Sequence, residues 1–214
     1  VPYFDNERRK LPSQIEDQME DCEFLVHLGD IMRGEVDCDE YHYENLRNTL
    51  LQSKVPAFIV PGDNEWNDCG NNRGIQTAWG HWNTHFMNLE NNWNHTLSVV
   101  RQPDYQENFY IIRKRTLVIG LNIVGGRVHD EDEWLLRHSS EIDWVRSLIK
   151  MNVPMNAAGV IIMAHARPTA DHALFFDPLR DFIRDELENE IPVLYLHGDG
   201  HSFLHTPNFY MQPN

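Results

Sequence analysis

The chain holds no apolar run near the roughly 20 residues that a bilayer-crossing helix needs, and Gly, Asn or Pro interrupts its longest candidates. No membrane span is therefore expected. Positive charge is scarce: 18 Lys and Arg stand against 33 Asp and Glu, a formal charge of -15 at pH 7. Tight binding to a polynucleotide backbone needs clustered Lys and Arg, so no polynucleotide partner is expected. A small phosphorylated substrate held by metal ions remains compatible, because the ions bring positive charge to the spot where it is needed. Repeats and low-complexity tracts are absent. Cysteine is limited to Cys22, Cys38 and Cys69, an odd count. Cys38 and Cys69 each follow closely on a loop bearing metal-type ligands, which predicts that the two loops are neighbours joined by a disulfide. With the acceptor triplet Asn94-His95-Thr96, this points to a secreted or extracytoplasmic protein. The alternative is reduced thiols and an unused triplet.

What is present suits one globular domain over residues 1–214: 41% hydrophobic and 24% charged residues, enough for a full core. Ser13-Gln14-Ile15-Glu16 has the form of a capping box and predicts a helix starting there and running towards Asp21. Strands are expected over 24–28 and 57–60, around a helix capped near Asp39 with Tyr43, Leu46, Leu50 and Leu51 at helical spacing. This β-α-β order predicts two parallel strands. Residues 66–94 read as a loop insertion beside the site, containing a helix over about 76–89. A hairpin is expected from 109–112 to 116–123, turning at Arg113-Lys114-Arg115. A helix over 132–150, a strand over 159–164, a helix over 178–188 and a strand over 192–196 complete the pattern.

Several of these runs end in residues that bind metals. Phe24-Leu25-Val26-His27-Leu28-Gly29-Asp30 and Phe58-Ile59-Val60-Pro61-Gly62-Asp63-Asn64-Glu65 both place Gly-Asp after an apolar strand. Val160-Ile161-Ile162-Met163-Ala164-His165 ends in histidine, and Val193-Leu194-Tyr195-Leu196-His197-Gly198-Asp199 is followed by His201. In open α/β sheets, ligands bind beyond the carboxyl ends of the strands, so these residues can converge. Alone, a Gly-Asp pair is an ordinary strand-ending turn, and a lone histidine is usually a core residue bonded to a carbonyl. The set is far more specific than its members. Mixed imidazole and carboxylate donors suit zinc, manganese or iron(II). His27, His42, His81, His85 and Trp82 have no comparable spacing and read as packing or pocket-wall residues.

From about Phe24 to His201 the chain resembles the calcineurin-like metallophosphoesterases, whose motifs run D-x-H, G-D, G-N-H-[DE], H and G-H-x-H. The resemblance implies an α/β protein, a four-layer α/β/β/α sandwich, with two divalent metal ions (Mn, Zn or Fe) at its site. Asp30 would bridge the ions; Asp63, His165 and Asp199 would hold one, and His201 the other. The departures are specific. Asp63 stands where the family has Asn, Asn64 where it has the His that assists the leaving group, and Asp199 where it has the first His of the last motif. Glu65 would then be the substitute proton donor, or a support for its loop. The D-x-H motif is absent, and Val1 to Asp5 stand near its place. The first strand and the last strands of the sandwich are therefore expected to be missing from this chain. Arg33, three residues after Asp30, occupies the place of the tyrosine ligand of purple acid phosphatases, which argues against a tyrosinate-iron centre. It would orient a phosphate or remain a surface cation.

The implied function is hydrolysis of a phosphomonoester or small phosphodiester by a metal-activated hydroxide, with Asp30, Asn64 and Glu65 as the catalytic candidates. Two rivals stand beside it: a catalytically degenerate fold that binds metal or a phosphorylated ligand without turnover, and a structural or adhesive surface module.

Overall fold

A strand covered on both faces sends alternate side chains into two different apolar clusters, because successive residues point to opposite sides of a sheet. The computed structural model describes residues 10–17, 21–34, 36–69, 74–153, 155–187, 191–200 and 202–207. Its elements are α1 (Leu11–Asp17), β1 (Leu25–His27), α2 (Glu40–Leu50), β2 (Ala57–Ile59), α3 (Gly74–Phe86) and a 3-10 turn at Leu89–Asn92. They continue through β3 (Val100–Arg101), β4 (Phe109–Arg113), β5 (Thr116–Gly120), α4 (Glu131–Asn152), β6 (Gly159–Met163), α5 (Ala173–Glu186) and β7 (Val193–Leu196). The chain is mixed α/β. β1 and β2 form a parallel pair with Leu25 opposite Ala57. The other strands form a sheet of order β3-β4-β5-β6-β7, antiparallel from β3 to β5 and parallel from β5 to β7.

The alternation is visible residue by residue. Ala57 and Ile59 of β2 pack with Tyr43, Leu46 and Leu50 of α2 and with Trp82 and Phe86 of α3. Phe58 and Val60 go the other way, to Phe109, Ile111 and Val118 of the larger sheet. Phe58 and Phe109 stack with ring centroids 4.6 Å apart, a direct contact between the two sheets. In β5 and β6, Leu117, Ile119, Val160 and Ile162 pack with Ile142, Val145 and Ile149 of α4 and with Phe175, Leu179 and Phe182 of α5. Their neighbours Val118, Ile161 and Met163 join the cluster between the sheets. Each sheet therefore meets helices on one face and the other sheet on the opposite face.

The expected hairpin is present, with Lys114 and Arg115 at φ 47° and 63°. Two consecutive left-handed residues give the tight turn that matches strand twist. The expected disulfide is also present: Cys38 and Cys69 are bonded, with Cα atoms 5.6 Å apart. Among the described residues, no helix is long and apolar enough to cross a membrane.

Two helix starts differ from expectation. Ser13 is no N-cap: α1 begins at Leu11, and the Ser13 hydroxyl donates back to the Lys10 carbonyl at 2.9 Å, as a serine inside a first turn does. α5 begins at Ala173 rather than Pro178, because Phe175 and Phe176 are buried in the same cluster as Leu179 and draw the helix upstream. Val1 to Asp5, the expected remnant of the first motif, lie outside the described residues, and so does His201.

Candidate metal centre

Two glycines set the distance between the first two carboxylates. Gly29 (φ 79°) and Asp30 (φ 60°) both adopt the left-handed conformation after β1. A side-chain carbon on Gly29 would lie 2.4 Å from the Gly62 nitrogen, and one on Gly62 would lie 2.2 Å from the Asp30 nitrogen. Only glycine at both positions lets the loops after β1 and β2 touch. Glu65 locks them together: its Oε1 accepts N–H bonds from Gly62 at 2.7 Å and Asp30 at 3.1 Å, and its Oε2 accepts one from Ile31 at 3.2 Å. The Tyr43 hydroxyl donates to the Glu65 carbonyl at 2.6 Å. Burial, and then the charge of Asp30, pushes the Glu65 carboxyl up to about 8.

β6 contributes the third group. His165 is fully buried, and its Nδ1 lies 2.8 Å from the Leu28 carbonyl. A carbonyl only accepts, so Nδ1 carries a proton and Nε2 faces the site. Nε2 lies 3.3 Å from Asp30 Oδ2 and 3.4 Å from Asp63 Oδ1, yet it is buried without an aligned hydrogen bond. Ligand atoms of Asp30, Asp63 and His165 all lie within 4.8 Å of one another. Burial alone would lower the His165 pKa, but the Asp63 and Asp30 carboxylates outweigh it and raise it to about 9. Burial raises the Asp63 carboxyl, and the adjacent His165 more than offsets this and holds it low.

Asp199 approaches the same place. The amides of Gly198 and Asp199 donate to the His165 carbonyl at 3.0 and 3.1 Å, fastening the end of β7 to the end of β6. A side-chain carbon at Gly125 would lie 2.9 Å from Asp63 Oδ2 and 3.9 Å from Asp199 Oδ2. Asp199 thus stands beside Asp63 but outside the group of three, with Arg167 Nε 3.9 Å from its Oδ2. Asn64 donates its N–H to Asp30 Oδ1 at 3.3 Å and its Nδ2 to the Met32 carbonyl at 3.0 Å. Arg33 is exposed.

His27 and His42 line a small pocket, and His81, His85 and Trp82 pack against neighbouring side chains. Burial lowers His27 to about 4, His81 lies against Tyr43, His85 pairs with Glu40, and Trp82 stacks on Trp79. Sequence reasoning missed Gly125-Gly126, which press on Asp63, and the Leu28 carbonyl that orients His165. The Gly-Gly pair was a signal in the sequence; a backbone carbonyl carries none. Compared with protein-family models and with curated proteins, the chain matches none of them.

Proposed function

We propose that this protein is a divalent-metal phosphoesterase built as a four-layer α/β/β/α sandwich, acting on a phosphomonoester or small phosphodiester. One observation carries the reading: His165 Nε2 is buried between two carboxylate oxygens and has no aligned hydrogen bond. A nitrogen lone pair facing two anions is tolerable only with a cation between them or a proton on the nitrogen. One imidazole and two carboxylates fit zinc, manganese or iron(II). Asp30, Asp63 and His165 would hold one ion, with Asp199 as a further donor from beside Asp63, and Asp30 with His201 would hold the other. When bound, such ions supply Lewis acidity and a water acidic enough to act as nucleophile near neutral pH. The chain's own contribution is to place the donors. Glu65 is a positioning residue, since its oxygens are spent on three backbone amides that hold the two loops together.

The same bonds favour a second reading, binding without turnover. Asn64 donates its Nδ2 to the Met32 carbonyl and both Glu65 oxygens face backbone amides, so neither side chain is directed at a leaving group. Manganese-loaded protein assayed with p-nitrophenyl phosphate separates the two. Turnover abolished by Asp30→Ala supports the enzyme; metal binding with no turnover supports the rival; no metal binding at all removes both. The disulfide supports a secreted or extracytoplasmic setting.

A further inference from the structure

A cavity of about 450 Å³ opens at the turn that follows Asp63, bounded by Trp66 and Asn67, the start of α3, the connection from β3 to β4 and the stretch from Arg127 into α4. It is tied to the candidate centre by backbone. The amides of Trp66 and Asp68 donate to the Asp63 carbonyl at 3.1 and 2.8 Å, and Asn67 Nδ2 donates to the Gly125 carbonyl at 2.9 Å. One turn therefore carries both a metal-type ligand and a wall of the cavity. The size is that of a small-molecule pocket.

The walls are aromatic, from Trp66, Trp79, Trp134 and Tyr105, and their charge is unbalanced. Both guanidinium groups at the cavity are spent: Arg137 on Glu133 and the Asn122 carbonyl, Arg127 on Asp68. Asp104, Glu107 and Asp130 also line the cavity, and among the described residues none pairs with Lys or Arg. Glu107 is buried, 6% exposed, with Oε1 accepting from Asn122 Nδ2 at 2.8 Å. Burial, with the carboxylates of Glu133 and Glu141, pushes the Tyr105 phenol up, and burial pushes the Glu107 carboxyl up. Among the described residues that line the cavity, an anionic group would find no Lys or Arg that is not already paired. An organic ammonium finds apolar surface for its carbon substituents and carboxylates for its charge.

We propose that this cavity binds an organic ammonium group and so seats the alcohol side of an ammonium-bearing phosphate ester. The second part rests on the hydrolytic reading above; the first does not.

The test is an NMR titration of the full chain, following the indole N–H resonances, with choline chloride and its neutral isostere 3,3-dimethylbutan-1-ol. Choline is expected to bind with a Kd of about 1 mM and the neutral alcohol about tenfold more weakly. Asp104→Asn and Asp130→Asn should each weaken choline about fivefold, as loss of one nearby charge predicts. Asn at 130 retains a side chain able to cap α4. Equal binding of the two compounds, or no indole shift with choline, overturns the ammonium site on unaltered protein alone.

The hydrolytic part is read separately, with manganese, p-nitrophenylphosphorylcholine and the isosteric p-nitrophenyl 3,3-dimethylbutyl phosphate. A kcat/KM about tenfold higher for the choline ester supports the seat. Equal turnover of both esters overturns the seat and leaves hydrolysis intact. Choline binding with no turnover of either ester, or of p-nitrophenyl phosphate, upholds the ammonium site and counts against the hydrolytic reading.

Discussion

With Nδ1–H committed to the Leu28 carbonyl, His165 can gain a proton or a metal only at Nε2, between Asp30 and Asp63. The two compete, and the proton is held to about pH 9 against an ordinary 6.5. Because this folded-state pKa is raised, the ion pair stabilises metal-free protein fully below about pH 6.5, and the contribution is lost as pH rises through 9. Glu65, raised to about 8, acts in the same direction, since its buried carboxyl favours the folded state while it holds its proton. Metal binding must displace the His165 proton. Manganese affinity measured by calorimetry is therefore expected to improve about tenfold per pH unit up to about pH 9 and then level off. An affinity that does not change between pH 7 and 9 would show that Nε2 is not the ligand.

At the scale of elements, two of the three donors stand on loops that leave β1 and β2, and the Cys38–Cys69 disulfide ties these loops across 31 residues of sequence. Closing a loop of that length contributes about 4 kcal/mol by restricting the unfolded chain. The double variant Cys38→Ser, Cys69→Ser should lose about that much in urea unfolding, and its manganese affinity should fall while its circular dichroism is retained. Unchanged stability would mean that packing of α2 and α3 alone sets the loops.

These same loops mark how far the sequence could be read. Strands β1, β2, β6 and β7 were legible as unbroken apolar runs, which in β2 reflects burial on both faces, although Leu194 and Leu196 of β7 are exposed. The disulfide was legible from the place of each cysteine after a ligand loop. Helix starts were less so. Ser13 and Pro178 carry sound local signals, yet burial of Ile15, Phe175 and Phe176 sets where α1 and α5 begin. At the site, Asp30, Asp63 and His165 were named from strand ends and meet within 4.8 Å. The work of Glu65 was not evident, because its three bonds go to backbone amides that leave no trace in residue identity. The cavity walls come from four stretches far apart in the chain, so composition could show only that residues 66–94 are rich in tryptophan.

Across the whole molecule, the donors belong to different sheets. Asp30 and Asp63 follow the β1–β2 pair and His165 follows β6 of the larger sheet, while the sheets meet below them through the apolar cluster of Phe58, Val60, Phe109, Ile111 and Val118. A bound ion would therefore cross-link the two sheets at the edge where His165 Nδ1 already bonds to the Leu28 carbonyl. An ion that binds only the folded chain stabilises it by mass action, about 2.7 kcal/mol at a concentration one hundred times Kd. For a chain of this size that corresponds to a rise in Tm of roughly 5–10 °C. Manganese should produce this rise, a chelator should reverse it, and Asp30→Asn or His165→Gln should abolish it while leaving a cooperative transition. Substituting exposed acidic residues far from the centre, such as Asp181 or Asp185 on α5, should leave the rise intact. If those distant substitutions remove as much of the shift as Asp30→Asn does, manganese is acting as a counter-ion for a chain of charge -15, and the three buried donors are not its site.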